Sequence, residues 1–524
     1  MTTHFTPDPA TFRTLAQQGN LIPVHAEFIA DAETPVGAFA KLDDGGYTFL
    51  FESVEKSEQT GRYSFVIVGP RVVMESNGRT IRITEDGVTR EFQSEKDPLA
   101  DLEKYMSRFR YVPLPDEPPE FRTRFFGGAV GYLGYDIVRF FEPSVPAAKG
   151  DQLGLPESLF VLAETVLIFD HLKRRLRIVA NAFVEGDADA AYARATRTIA
   201  DIAAKLAKPN QLPPFPITPP PPPAAATSNT TREEFHAMVR KAHEYIHAGD
   251  IFQVVPSQRF TTDYTGDPLT LYRALRFVNP SPYMFCMKFP AAQGRGAFSF
   301  VGSSPEVHVR AVNGKIEIRP IAGTRKRGAK PAEDDANAAE LLADPKERAE
   351  HLMLVDLARN DVGRASEFAS VKVNDFMIIE RYSHVMHIVS NVEGRLRPDC
   401  SAYDVMRATF PAGTVSGSPK VRAMQVIAEL EKSKRGVYAG AVGYFGFDGN
   451  SDSCIALRTV VLKDGKAHVQ AGAGVVADST PEGEYVETVN KAMGMLAAIA
   501  RANQSAQCSV VSAQSASATR RTEN

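Results

Sequence analysis

SFVIVGPRVVMESNGRTIRI at residues 64–83 and SFVGSSPEVHVRAVNGKIEI at residues 299–318 carry one pattern twice, with apolar residues alternating on either side of an Asn-Gly pair. Alternation with a period of two marks a half-buried strand, and Asn-Gly between two such runs is the strongest short-range hairpin signal. Asn77 stands opposite Asn313. A second match follows in the same order: FFGGAVGYLGYD at 125–136 and VYAGAVGYFGFD at 437–448, with Gly128 opposite Gly440. Two matches in one order indicate an internal duplication. Between these landmarks the first copy has 51 positions and the second 127. The second copy therefore carries a large insertion, and most charged motifs lie in it or just after it.

PPFPITPPPPP at 213–223 excludes helix and central strand and favours extended polyproline II. It sets the expected division: 1–205 as an N-terminal lobe, 206–229 as a Pro-rich linker or loop, 230–502 as the larger domain, and a Ser/Ala-rich disordered tail over 503–524. Asp464-Gly465 predicts one more hairpin. Asp344-Pro345-Lys346-Glu347 reads as N-cap, N1 proline and capping-box glutamate, opening a helix to about Arg359. Thr480-Pro481-Glu482 opens another to about Arg501, with Tyr485, Val489, Ala492, Leu496 and Ile499 as its buried stripe. Strands with flanking helices predict a layered α+β fold.

The 524 residues are 44% hydrophobic and 23% charged, which excludes a disordered or fibrous chain. Lys+Arg number 60 against 63 Asp+Glu, for a net charge of −3, so there is no electrostatic footprint for nucleic acid or an anionic membrane. Four scattered cysteines (Cys286, Cys400, Cys454, Cys508) argue against a disulfide framework or a zinc site. With no run of about 18 apolar residues and no signal-like start, a cytoplasmic location is expected. Tryptophan is absent altogether.

Glu350 shares a helix face with Leu354 and Leu357, where a carboxylate is costly unless paired with a cation or metal. Glu484, Glu487 and Lys491 share a face opposite the apolar stripe of their helix. That is either a solvated charged face or, with Glu350, a pair of carboxylates from two helices able to hold one Mg²⁺; the residues alone leave both open. GTVSGSPK (413–420) and AGAGVVADST (471–480) are glycine-rich turns before helix starts, suited to a carboxylate or phosphate, although neither is a nucleotide fingerprint. His387 lies in strand-like HVMHIVSNVEG. No HExxH motif and no nucleophile–histidine set declares itself.

Taken together, many segments resemble the chorismate-utilising enzymes, and within them most closely the anthranilate synthase component I family. They include FLFESVE (49–55), GDIFQVVPSQRF (249–260), NPSPYMF (279–285), FVGSSPE (300–306), PIAGTRKRG (320–328), EHLMLVDLARND (350–361), PAGTVSGSPKVRAM (411–424), AGAVGYFGFDG (439–449), IALRTVV (455–461), QAGAGVVADSTPEGEYVET (470–488) and NKA (490–492). They run in order over almost the whole chain outside the proline run and the tail. The resemblance implies a four-layer α/β/β/α sandwich with two large antiparallel sheets, in agreement with the duplication. It implies replacement of a ring hydroxyl of chorismate by ammonia, followed by loss of pyruvate to give anthranilate.

By the same resemblance, Glu350 and Glu487 are the Mg²⁺ ligands, with the ion neutralising the ring carboxylate. Gly323, Thr324, Tyr438, Arg458 and the backbone of Gly472, Ala473 and Gly474 contact the dicarboxylate, and Lys491 supports it or the Glu487 side chain. Glu306 matches the general acid for the departing hydroxyl, and His387 the base for the later ring proton. Gln253 stands where isochorismate and salicylate synthases carry a water-activating lysine; an amide cannot deprotonate water but leaves room for ammonia. Ala322 stands where aminodeoxychorismate synthases often carry lysine. Ser53, Pro282, Tyr283 and Met284 match an L-tryptophan inhibitor site. The chain shows no amidotransferase signature, so the expected partner is a separate glutaminase. The alternatives are an aminodeoxychorismate synthase, opposed by Ala322, and a non-catalytic tryptophan-binding regulator, opposed by the presence of Glu306, Glu350, His387, Arg458 and Glu487.

Overall fold

The structure is a computed structural model that describes residues 3–53, 61–115, 125–382 and 385–522, with side chains through Ser505. The duplicated pattern is built as two antiparallel sheets, each crossed by one pseudo-two-fold. In the first sheet the strands run Leu21–Ile29, Arg175–Phe183, Thr165–Asp170, Tyr63–Val68 and Thr48–Glu52. They continue as Tyr283–Phe289, Phe298–Ser304, Thr459–Lys463, Lys466–Gly472, Ser257–Asp263 and Thr227–Ser228. Thr48–Glu52 pairs with Tyr283–Phe289, so the seam between copies lies inside the sheet. In the second sheet, Gly128–Leu133, Ser158–Ala163, Val72–Asn77, Thr80–Glu85 and Val88–Gln93 extend from one side of the seam. Ala441–Gly446, Ser451–Ile455, Val307–Val312 and Lys315–Ile318 extend in the same order from the other.

The repeated GAVGY strands are direct partners, with Gly131 opposite Gly443. Glycine is required there by close approach: a Cβ on Gly131 would lie 1.9 Å from the Leu159 carbonyl oxygen, and one on Gly443 2.2 Å from that of Asp452. The insertion of the second copy supplies strands Ile321–Lys326, Lys372–Arg381 and Val385–Arg395 and helices Pro331–Ala343, Pro345–Gly363, Ala402–Thr409 and Lys420–Leu430.

Helices cover both outer faces, giving the four layers. Pro35–Leu42, Ala188–Leu206, Pro268–Val278 and Pro481–Thr522 pack on the first sheet; Pro345–Gly363 and Ala402–Thr409 pack on the second. Between the sheets an aromatic cluster straddles the seam: Phe289 stacks on Phe298 at 4.4 Å and Tyr132 meets Phe300 at 4.9 Å. Such pairs contribute about 0.5–1.5 kcal/mol each beyond their burial. The proline run carries neither helix nor strand. It lies across two first-sheet helices, where Arg273 donates to the Pro213 carbonyl (2.9 Å) and Arg501 to that of Thr218 (3.2 Å).

Three local expectations are adjusted. Asn313-Gly314 and Asp464-Gly465 are two-residue turns with both residues at positive φ, as Asn/Asp-Gly hairpins require. In the first copy Asn77 pairs with Thr80, and the turn falls one residue later on Gly78-Arg79. Asp344 caps its helix by accepting from the Lys346 and Glu347 amides, but the capping box is not made. The Asp344 amide already closes the preceding helix on the Glu340 carbonyl (3.0 Å), and the Glu347 carboxylate turns to Arg325 (3.1 Å). The helix of Glu350 extends to Gly363, and the last helix to Thr522. Among the described residues no helix is long and apolar enough to cross a membrane.

Candidate active site

The chain passes from one sheet to the other at the ends of the second copy's strands. Pro305-Glu306 joins Phe298–Ser304 to Val307–Val312, and Leu457-Arg458 joins Ser451–Ile455 to Thr459–Lys463. The two crossovers lock together: the Ile455 amide donates to the Glu306 carbonyl and the Ser303 amide to the Arg458 carbonyl, each at 3.1 Å. Arg458 holds φ at +47° and nearby Ala439 at +62°, a costly backbone region for non-glycine residues that this framework enforces. Burial raises the Glu306 carboxyl to about 7, although Thr414, Lys491 and Arg458 each pull it down. Burial thus holds Glu306 toward its protonated form, able to donate a proton near neutral pH.

His387 lies opposite Thr324 in the strand ladder, with a register shift at Gly323. Gly323 takes φ +67° there, which turns its carbonyl onto the imidazole. His387 Nδ1 lies 2.8 Å from that carbonyl and 3.1 Å from the Thr324 hydroxyl. A carbonyl can only accept, so Nδ1 carries the proton and Nε2 is the basic nitrogen. Burial lowers the ring's pKa, helped by the Arg458 charge, and keeps the imidazole neutral.

The carboxylates come from two helices. Glu350 Oε1 accepts from the Gln253 amide at 3.2 Å. Glu487 pairs with Lys491 one turn on at 2.7 Å, and Lys491 also donates to the Gly472 carbonyl at 3.1 Å. Burial raises the pKa of Glu350, as do the negative charges of Glu347 and Glu487. Glu484 is raised by burial and by Glu487, and its Oε2 is buried without a hydrogen-bond partner. Among the described residues no three His, Cys, Asp or Glu side chains form a preassembled metal cage. Tyr438 is buried, its hydroxyl so near Gly472 that a Cβ there would come within 2.7 Å. A Cβ on Gly474 would come within 2.9 Å of the Gln253 amide nitrogen. The Ala473 amide donates to the Pro256 carbonyl at 3.1 Å, so that donor is engaged within the protein. Gln253, Glu306, Gly323, Thr324, Glu350, His387, Tyr438, Arg458, Gly472, Ala473, Gly474, Glu487 and Lys491 are thus joined by hydrogen bonds, close approaches and electrostatic contacts.

The profile of the chorismate binding enzymes matches residues 48–497. This chain belongs to that family. It is 47% identical to the anthranilate synthase component 1 of Acetivibrio thermocellus over 508 residues, 95% of this chain and 99% of that one. The crystal structure of anthranilate synthase component I from Streptococcus pneumoniae TIGR4 superposes with a TM-score of 0.72 at 37% identity, over 83% of this chain and 92% of that one. The menaquinone-specific isochorismate synthase of Escherichia coli shares the fold, with a TM-score of 0.68 at 19% identity over 94% and 98% of the two chains.

In this family member Ser53, Pro282, Tyr283 and Met284 meet at the seam of the first sheet. Met284 pairs with Glu52, which puts Ser53 at the end of the same ladder. The Tyr283 hydroxyl donates to Asp452 at 2.9 Å and accepts from Arg310 at 2.6 Å. Ser303 joins this edge to the constellation: its hydroxyl donates to the Asn279 carbonyl at 2.5 Å, and its amide holds Arg458.

Thr414, Glu347 and Arg435 escaped the sequence reading. Thr414 lies within GTVSGSPK, where the motif carries no signal for that side chain, and the spacing at Glu347 points to a cap. Arg435 is 2% exposed, binds Glu431 at 2.6 Å, donates to the Val415 and Val255 carbonyls (2.8 and 2.5 Å), and stands over the Tyr438 ring. Its one sequence-level signal is Glu431 four residues earlier.

Proposed function

We propose that this chain is the large subunit of an anthranilate synthase, converting chorismate and ammonia to anthranilate, pyruvate and water. The carrying observation is a buried acid and a neutral, correctly tautomerised base that both feel the charge of Arg458, with an amide at Gln253 where water activation would need a base. Ammonia bonds to the ring as the hydroxyl leaves, taking the Glu306 proton to depart as water. His387 Nε2 then removes the ring proton as the enolpyruvyl group is lost as pyruvate. Arg458, Tyr438 and the 472–474 turn bind and orient the dicarboxylate. Glu350 and Glu487 fit Mg²⁺: with Glu347 and Glu484 they make an acid-rich cluster in which Lys491 pairs with Glu487 and a Glu484 oxygen is left unpartnered, and Mg²⁺ takes few protein ligands plus waters and substrate oxygens. When bound, the ion would neutralise the ring carboxylate.

Ammonia would come from glutamine through a partner glutaminase subunit, and L-tryptophan would inhibit by binding at Ser53, Pro282, Tyr283 and Met284. The test is anthranilate fluorescence from the purified chain with chorismate, Mg²⁺ and ammonium, with and without L-tryptophan. Mg²⁺-dependent signal that tryptophan suppresses and glutamine alone does not produce is expected. A non-fluorescent aminated product, or no turnover, overturns the assignment.

A further inference from the structure

Glu306 also lines a small cavity of about 30 Å³, walled by Thr414, Asp361, His308, Leu357 and Ala358 among others. None of His387, Arg458, Tyr438, Glu350 or Lys491 borders it, so it meets the proposed substrate site only through Glu306. One polar atom of its walls, Asp361 Oδ1, is buried without a hydrogen-bond partner, and His308 Nε2 and Thr414 Oγ1 are buried with only loose contacts, to the Thr409 carbonyl and the Glu306 carboxyl. Asp361 and His308 are 4% and 2% exposed. The rest of each group is engaged. Asp361 Oδ2 takes Lys420 Nζ at 2.5 Å, and Lys420 also donates to the Thr409 carbonyl at 3.0 Å. His308 Nδ1 lies 3.2 Å from the Ser453 hydroxyl, the Thr409 carbonyl also faces the ring, and Thr414 leans on Glu306.

Orphaned buried polar atoms are costly, and a cavity of this size whose apolar wall is broken by two to four polar partners can hold an internal water. We propose that an ordered water occupies this cavity and bridges Glu306 to Asp361, with Thr414 and His308 as further partners, so that Asp361 acts as a positioning residue for Glu306. Asp361 Oδ1 takes a hydrogen from the water. The water then turns a lone pair toward Glu306, which meets it best as the protonated acid. The charged and titratable groups around this unit are Lys420 and Arg364 near Asp361, the neutral His308, and Arg458 and Lys491 on the substrate side of Glu306. No net transfer is needed: the water holds Glu306 in one rotamer with its proton in place between turnovers.

The role assigned to Glu306 rests on the proposed function; the water does not. A high-resolution crystal structure of the full chain tests the water directly, and density within hydrogen-bond reach of Glu306 and Asp361 is expected. Ala358→Val fills the cavity with apolar atoms and keeps every polar group. It should lower kcat about tenfold with KM for chorismate nearly unchanged, and move the alkaline limb of the pH–rate profile to lower pH by about one unit. Thr414→Val serves if that variant does not fold. A dry cavity, or a filled one with kcat and the limb unmoved, overturns the inference. Water present without wild-type turnover of chorismate overturns the assigned function and leaves the water site standing.

Discussion

Replacing the buried acid, Glu306→Gln, should stabilise the protein at alkaline pH while destroying its activity. Burial lifts the Glu306 carboxyl from its ordinary 4.5 to about 7. In the unfolded chain the group ionises near 4.5; in the folded chain it resists until about 7. Between those values the unfolded state releases a proton that the folded state retains, so stability falls as pH rises. At about 1.4 kcal/mol per pH unit, that interval removes about 3 kcal/mol, and above pH 7 the loss is complete. A glutamine never ionises and carries no such slope. Urea unfolding of both proteins at pH 5 and pH 8 should show the stability gap moving by about 2–3 kcal/mol in favour of the variant at pH 8. Every other titrating group cancels in the difference. Anthranilate formation by the variant should fall by about 10²–10⁴ at all pH values, and wild-type activity should decline above pH 7 as the acid is lost. A gap that stays constant with pH would refute the buried-acid argument.

Gly474→Ala places a Cβ within 2.9 Å of the Gln253 amide nitrogen, so it should push that amide off Glu350 and lower kcat/KM for chorismate with ammonium about tenfold in steady-state assays. Arg435→Met leaves Glu431 buried without its ion-pair partner and two carbonyls without a donor, and should cost about 3–5 kcal/mol by urea denaturation. Ser53→Ala should weaken L-tryptophan inhibition about tenfold, a loss of about 1.4 kcal/mol in binding, while uninhibited turnover stays within about twofold. An unchanged inhibition constant would remove Ser53 from the inhibitor site.

What the sequence made legible was whatever short range determines. Asn313-Gly314 and Asp464-Gly465 specify hairpins through positive φ, Asp344-Pro345 specifies a helix start, and the order of the repeats specifies paired halves of each sheet. The site was legible only in part. From the residues alone, Glu350 with Glu487 and the two glycine turns were candidates with competing readings; Glu306, Arg458 and Tyr438 came from family motifs. Arg435 was invisible because its partners Val415 and Val255 lie 20 and 180 positions away. Pattern reading failed at Glu347 for a related reason. A capping box requires a free amide at Asp344, and an adjoining helix had already taken it.

The two copies also explain why only one of them carries this constellation. Each has the same pair of crossovers between sheets, and each places opposite charges on them. In the second copy Glu306 lies on the first crossover and Arg458 on the second. In the first copy the polarity is reversed, with Arg71 preceding Val72–Asn77 and Glu164 preceding Thr165–Asp170, 3.9 Å apart. Arg71 is half exposed and shared with Asp86, while Glu164 is largely buried and burial raises its carboxyl, so the charge facing it is a solvated arginine rather than a substrate-binding one. An arginine there cannot donate a proton near neutral pH. The insertion completes the difference: Thr324, Glu350 and His387 all come from segments between Ile318 and Ala441, which the shorter first copy lacks. Freed from chemistry, the first copy still contributes Thr48–Glu52 to the seam, where it pairs with Tyr283–Phe289. The next strand over, Phe298–Ser304, ends two residues before Glu306, and its Ser303 holds Arg458. A ligand bound across the seam at Ser53 and Met284 would therefore act on the acid and the arginine through one strand of the shared sheet.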